Sequence, residues 1–217
     1  MRCHRLMVIL FKAVCVEYPC FIDFEASSLS RQSFPIAVAW NKPCGEIRRF
    51  LISPQDVPEW VDWDPASEAI HGLDRERLVA NGWAPDYVCE EICHDLAEQV
   101  VWADAPQYDG MWLQALFSAA EQSPPFSLSH IENLLIPLLK RGDEMEWQAA
   151  ARMQRLSDQL NELRHDHHDP GADVGYLMSL WEAAQGMPLR SNHRIGPIPA
   201  RSASGTWMRA LPRKPSS

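Results

Sequence analysis

Four features are missing from this chain, and each absence narrows what it can be. No apolar run approaches the roughly 20 residues that a membrane-spanning helix needs. The longest early stretch, residues 6–11, is cut off by Lys12, and no small-x-small cleavage site follows. The first residues therefore resemble a secretory leader only faintly and read as an upstream extension or a short extra strand. No Cys-x-x-Cys occurs: Cys3, Cys15, Cys20, Cys44, Cys89 and Cys93 are scattered, which excludes a zinc framework and points to a reduced, cytoplasmic compartment. There is no surplus of positive charge, since 20 Lys and Arg face 29 Asp and Glu for a formal net charge of -9, an unfavourable balance for gripping long polyanions. There is also no internal repeat.

What is present fits one domain with room for appendages. The 217 residues are 46% hydrophobic and include nine Trp, enough to build a core. The charge is unevenly spread. From Pro188 onward the chain carries Arg190, Arg194, Arg201, Arg209, Arg213 and Lys214 and no carboxylate, leaving 14 cations against 29 acids on the body. Two readings of this tail stand: a disordered solubilising end, or a weak, salt-sensitive phosphate grip.

Hydrophobic periodicity predicts strands over 21–24, 33–40 and 46–52, the last two joined by the turn 41–45. A loop rich in Pro and Trp follows. A helical turn is expected over 66–73 and a short helix over 74–80 with Asp74 as N-cap. Helical spacing recurs over 84–99, with Val88, Ile92 and Leu96 on one face. A buried strand is expected over 100–103, a helix over 108–120 and a fifth strand over 126–129. Helices then fill 131–140, kinked or split by Pro137, and 143–163 and 171–184. Three strands, then helices alternating with two more strands, imply an α/β fold with a mixed five-stranded sheet flanked by helices.

Phe21-Ile22-Asp23-Phe24-Glu25 stands out. In a strand, Asp23 and Glu25 point to the same face. Two neighbouring carboxylates repel, and a hard divalent cation such as magnesium or manganese relieves that repulsion; a solvated strand end is the plainer reading. Asp109 falls in the first turn of the helix after the fourth strand, where the helix dipole alone can explain a carboxylate. Asp104 competes with it, although it suits a turn. The run His165-Asp166-His167-His168-Asp169-Pro170-Gly171-Ala172-Asp173 holds three histidines, a polar loop or a zinc site. Only His168 has an Asp five positions on, across a Pro-Gly turn that opens a helix.

Asp23-x-Glu25, Asp109, and His168 with Asp173, in this order, resemble the DEDDh family of 3′-5′ exonucleases, which includes ribonuclease T and the epsilon subunit of DNA polymerase III. Ile70-His71-Gly72-Leu73 is similar to the family's Ile/Val-His-Gly-Ile stretch. The family's Asp-x-Glu-Thr-Thr-Gly-Leu reads Asp23-Phe24-Glu25-Ala26-Ser27-Ser28-Leu29 here, without the Gly but with the Leu.

The resemblance implies a ribonuclease H-like fold over a domain at 20–186, with an extension at 1–19 and a basic, disordered tail at 187–217. It implies two Mg²⁺ or Mn²⁺ ions on Asp23, Glu25, Asp109 and Asp173, with His168 taking the proton of the attacking water. Ala26, Ser27, Ser28, Leu29 and His71 would hold the terminal nucleotide. The implied activity is hydrolysis of single-stranded RNA or DNA 3′ ends, or short oligonucleotides, to nucleoside monophosphates, by a protein that in many relatives is a homodimer. Two other classes stay open: an inactive adaptor working through its Arg-rich tail, and a zinc hydrolase built on His165, His167 and His168.

Overall fold

The computed structural model describes residues 16–162, 168–189 and 193–198. Five strands, β1 (Cys20–Ala26), β2 (Pro35–Asn41), β3 (Ile47–Leu51), β4 (Val101–Ala103) and β5 (Leu128–His130), form one sheet in the order β3-β2-β1-β4-β5. β1, β2 and β3 pair antiparallel, while β4 and β5 join parallel to β1, so the sheet is mixed as the element order implied. Seven helices flank it: α1 (Pro65–His71), α2 (Arg75–Asn81), α3 (Pro85–Leu96), α4 (Pro106–Ala119), α5 (Ile131–Leu139), α6 (Glu146–Asn161) and α7 (Pro170–Ala184).

Alternation along β1 builds the core on both faces. Ile22 and Phe24 pack with Val88, Ile92, Leu113 and Phe117 of α3 and α4 on one side. Phe21 packs with Ile131, Leu135, Val174 and Leu177 of α5 and α7 on the other. β2 lies between two strands with both faces covered, and all seven of its residues are buried. Its polar Asn41 is satisfied: its amide oxygen accepts from the Phe21 N–H at 2.8 Å, and its NH₂ donates to the Pro19 carbonyl at 2.8 Å.

Helix starts follow their sequence signals. Asp64, Asp74 and Asp169 cap α1, α2 and α7, and Pro sits in the first turn of α1, α3, α4 and α7. Boundaries move by a few residues. β5 starts at Leu128 because it runs on to His130, whose Nδ1 caps α5 by accepting from the Glu132 N–H. α5 continues through Pro137 to Leu139 and is not split. α6 starts at Glu146, because residues 141–144 form a turn, with the Glu144 N–H donating to the Arg141 carbonyl at 3.3 Å, and Met145 is the cap. Beyond α7, residues 193–198 lie on the edge strand. Ile195 bridges Ile47 in parallel, the Ile47 N–H donates to the Arg194 carbonyl at 3.1 Å, and the Gly196 N–H donates to the Ile47 carbonyl at 2.8 Å. This segment covers part of an edge that would otherwise expose unpaired backbone groups.

Candidate active site

Asp23 and Glu25 project from the same face of β1, the face covered by α7. Pairing with β2 shifts register between Glu25 and Ala26, so the strand's regular ladder ends right after the second carboxylate. Asp173 comes from the first turn of α7. One carboxylate oxygen from each of Asp23, Glu25 and Asp173 lies within 4.8 Å of the other two, all three half-buried. Residues 150 positions apart thus meet at one point of the sheet.

Asp109 stands beside this trio rather than within it. It occupies the first turn of α4 and is 3% exposed. Burial pushes its carboxyl up to about 7, against smaller opposing hydrogen bonds from the backbone of Phe24 and Ala105, with the Asp104 charge adding to the rise. The bond from Phe24 places the Asp109 carboxylate against β1 between the two acidic positions. Asp104 itself is exposed, one residue past β4.

His168 immediately precedes the α7 cap, is exposed, and has φ of 66°, the left-handed region that non-glycine residues seldom enter. His165 and His167 fall outside the described residues. His71 ends α1, where Gly72 closes the helix at φ 68°. The His71 Nδ1 accepts from the Leu73 N–H at 3.0 Å, which puts the proton of the neutral ring on Nε2, a buried atom with no hydrogen-bond partner among the described residues. Burial lowers the His71 pKa, the Glu68 charge opposes that, and the charge of nearby His168 lowers it further.

The loop after β1 is tightly held. Ser27 donates its N–H to the Phe34 carbonyl at 3.0 Å, its hydroxyl accepts from the Phe34 N–H at 3.1 Å, and its carbonyl accepts from the Asp64 N–H at 3.0 Å. The backbone of Ser27 is therefore already engaged within the protein. Ser28, at the position where the family has Gly, donates its hydroxyl to Asp62, and Ser30 donates to the same carboxylate at 3.0 Å. Ala26 is buried beside them, and Leu29 projects outward, 71% exposed. Sequence reasoning missed Asp62, which anchors this loop from 34 residues away. It also missed Arg49, whose Nη1 donates to Asp169 at 2.8 Å. The only local hint for Arg49 is its parity, since it shares the sheet face of Asp23 through Ala39.

Among the described residues the donors that converge with Asp23 are all carboxylate oxygens. Three converging carboxylates with a fourth kept close to neutral by burial make an unfavourable cluster alone, and they fit a hard divalent cation.

The fold has solved counterparts. The chain superposes on E. coli exonuclease I in complex with a dT13 oligonucleotide at a TM-score of 0.55 and 15% identity, covering 77% of this chain and 40% of that one. Another structure of exonuclease I matches at 0.57 and 15% identity over 78% and 42%. Exonuclease I from Methylocaldum szegediense matches at 0.54 and 17% over 77% and 40%. The fold is that of the ribonuclease H-like exonucleases. This chain spans about two fifths of the length of those exonuclease I chains. No protein-family model and no curated protein matches the sequence.

Proposed function

We propose that this protein is a metal-dependent 3′-5′ exonuclease that releases nucleoside monophosphates from single-stranded RNA or DNA ends. The observation that carries the reading is the convergence of Asp23, Glu25 and Asp173 within 4.8 Å on a ribonuclease H-like sheet. Asp23, Glu25, Asp109 and Asp173 would hold two Mg²⁺ or Mn²⁺ ions. Such ions, when bound, lower the pKa of an attacking water and support the leaving 3′ oxygen.

The remaining roles belong to this chain's own groups. His168, exposed just ahead of the α7 cap, takes the proton of the water. His71, kept neutral by burial, offers its orphaned Nε2–H to an oxygen of the terminal nucleotide. Leu29 offers an apolar surface to the last base, and the Asp62 anchor on Ser28 and Ser30 holds the loop that presents it. The acidic body favours short oligonucleotides or frayed ends, whose few phosphates need little contact with it. Residues 20–186 form the catalytic unit in this reading, with the stretches before and after it as appendages. Single-stranded oligonucleotides bound to the exonuclease I neighbours support the substrate class.

The test is an assay on end-labelled single-stranded RNA and DNA, with Mn²⁺ or with EDTA, resolving the products. Wild type should shorten the strand from its 3′ end only with the cation. Asp23→Ala should abolish release while its circular dichroism stays native; undiminished activity in that variant would overturn the assignment. His168→Ala should lower kcat by about 10²–10⁴-fold with cation affinity retained. A large loss of cation binding would instead make His168 a ligand.

A further inference from the structure

His168 holds a left-handed backbone conformation, uncommon outside glycine, and the residue after it is anchored from two sides. Asp169 uses both carboxylate oxygens. Oδ1 accepts from the Ala172 N–H at 3.0 Å and caps α7, while Oδ2 accepts from Arg49 Nη1 at 2.8 Å. The Asp169 carbonyl accepts the Asp173 N–H at 3.0 Å. Arg49 comes from β3, 120 residues earlier, and both partners of the ion pair are partly buried, at 28% and 40% side-chain exposure.

The arginine stem packs closely against the first turn of α7 at Gly171. A Cβ there would lie 3.3 Å from Arg49 Cδ, 3.1 Å from Asp169 Oδ1 and 3.1 Å from Ile195 Cγ2. The sheet, the helix cap and the segment 193–198 therefore close around one ion pair, and that pair fixes the residue on which His168 hangs.

We propose that Arg49 is a positioning residue for the hydrolysis: through Asp169 it ties the His168 backbone to the sheet that carries Asp23 and Glu25. The inference rests on the reading of His168 as the proton acceptor. Arg49 acts on turnover rather than on substrate or cation binding, since its guanidinium is turned to Asp169.

Two variants test it. Arg49→Ala removes the tie, and Asp169→Asn keeps the helix cap while removing the charge partner. Both should lower kcat by about 10- to 100-fold, the scale of a misplaced catalytic group, with KM within about twofold. Arg49→Lys should recover part of the loss. In a His168→Ala background, Arg49→Ala should cost nothing further. A rise in KM at unchanged kcat would make Arg49 a substrate contact, and an equal loss in both backgrounds would remove the link to His168; either overturns the proposal. A readout independent of activity is the imidazole ¹H–¹³C cross-peak of His168, which should move in Arg49→Ala and stay put in the remote Arg152→Ala. If wild type lacks nuclease activity, the functional reading falls by itself, while an unmoved cross-peak removes the positioning.

Discussion

Burial strongly alters the chemistry of Asp109. Its carboxyl rises from 3.8 to about 7 because burial disfavours the charged form, and two backbone bonds only partly offset that. A group with a raised folded pKa contributes stability fully below its unfolded pKa and loses it as pH rises through the folded one. The cation-free protein should therefore lose this contribution between about pH 4 and pH 7. A divalent cation reverses the preference, since it requires the ionised carboxylate. The rise in Tm on adding Mn²⁺ should thus be larger at about pH 7.5 than at about pH 5.5, by thermal melts at matched ionic strength. Equal rises at both would separate Asp109 from the cation site. At two cysteines burial silences chemistry: it pushes the thiols of Cys20 and Cys89 up to about 12, which leaves them packed and unreactive.

At the scale of elements, the connection from β3 through α2 to α3 depends on close backbone approach. The Ser53 N–H donates to the Trp83 carbonyl and the Trp83 N–H to the Leu51 carbonyl, both at 2.8 Å, so the chain leaving β3 is knitted to the chain leaving α2. Gly82 sits at that seam. A Cβ there would lie 2.5 Å from the Leu78 carbonyl oxygen and 2.6 Å from the Ser53 nitrogen, both backbone atoms that cannot rotate away. Gly82→Ala should cost about 1–3 kcal/mol in urea unfolding, the range for overpacking. A neutral result would show that the seam opens freely. The seam also supports α1 and the 53–64 loop, where Trp60 stacks on Phe34 at 5.1 Å and the Trp63 indole donates to Glu68 at 2.6 Å, next to His71. Aromatic packing here holds the loop against Phe34, just ahead of β2, and against α1 at Glu68 and His71.

Over the whole molecule, the segment 193–198 ties three parts together. Ile195 bridges β3, the side chain of Ile198 packs against the core on the α3 and α4 side, and His193 Nε2 lies 3.1 Å from the Ser179 hydroxyl and 3.6 Å from the fully buried Glu182. Glu182 also accepts from the Tyr18 hydroxyl at 2.6 Å, which links the chain ahead of β1 to α7. Two truncations should therefore differ. Deleting 199–217 removes Arg201, Arg209, Arg213 and Lys214 and should leave Tm nearly unchanged while weakening salt-sensitive nucleic-acid binding. Deleting 187–217 should also lower Tm, by about 2–4 °C for each kcal/mol lost, because it strips cover from Ile47, Gly171 and Glu182. Equal melting of the two proteins would show that 193–198 carries no stability. Among the described residues no helix is long and apolar enough to cross a membrane.

The amino-acid order alone determined the elements and their sequence, because hydrophobic period, the Asp74 cap and turn residues are local properties: β1 with Asp23 and Glu25 on one face, Asp109 in the first turn of a helix, Asp173 just past a Pro-Gly turn that opens a helix. It also carried the motif spacing from which a ribonuclease H-like sheet was expected. Tertiary structure decided the rest. It brought Asp173 to β1, set Asp109 beside the trio instead of inside it, and buried the Nε2 of His71. The Arg49–Asp169 pair and the Asp62 anchor join residues 120 and 34 positions apart, so they exist only once β3 and α7, or the two loops, have packed. Contacts at such separations leave no periodic trace in a sequence, because nothing local selects them until the core has closed.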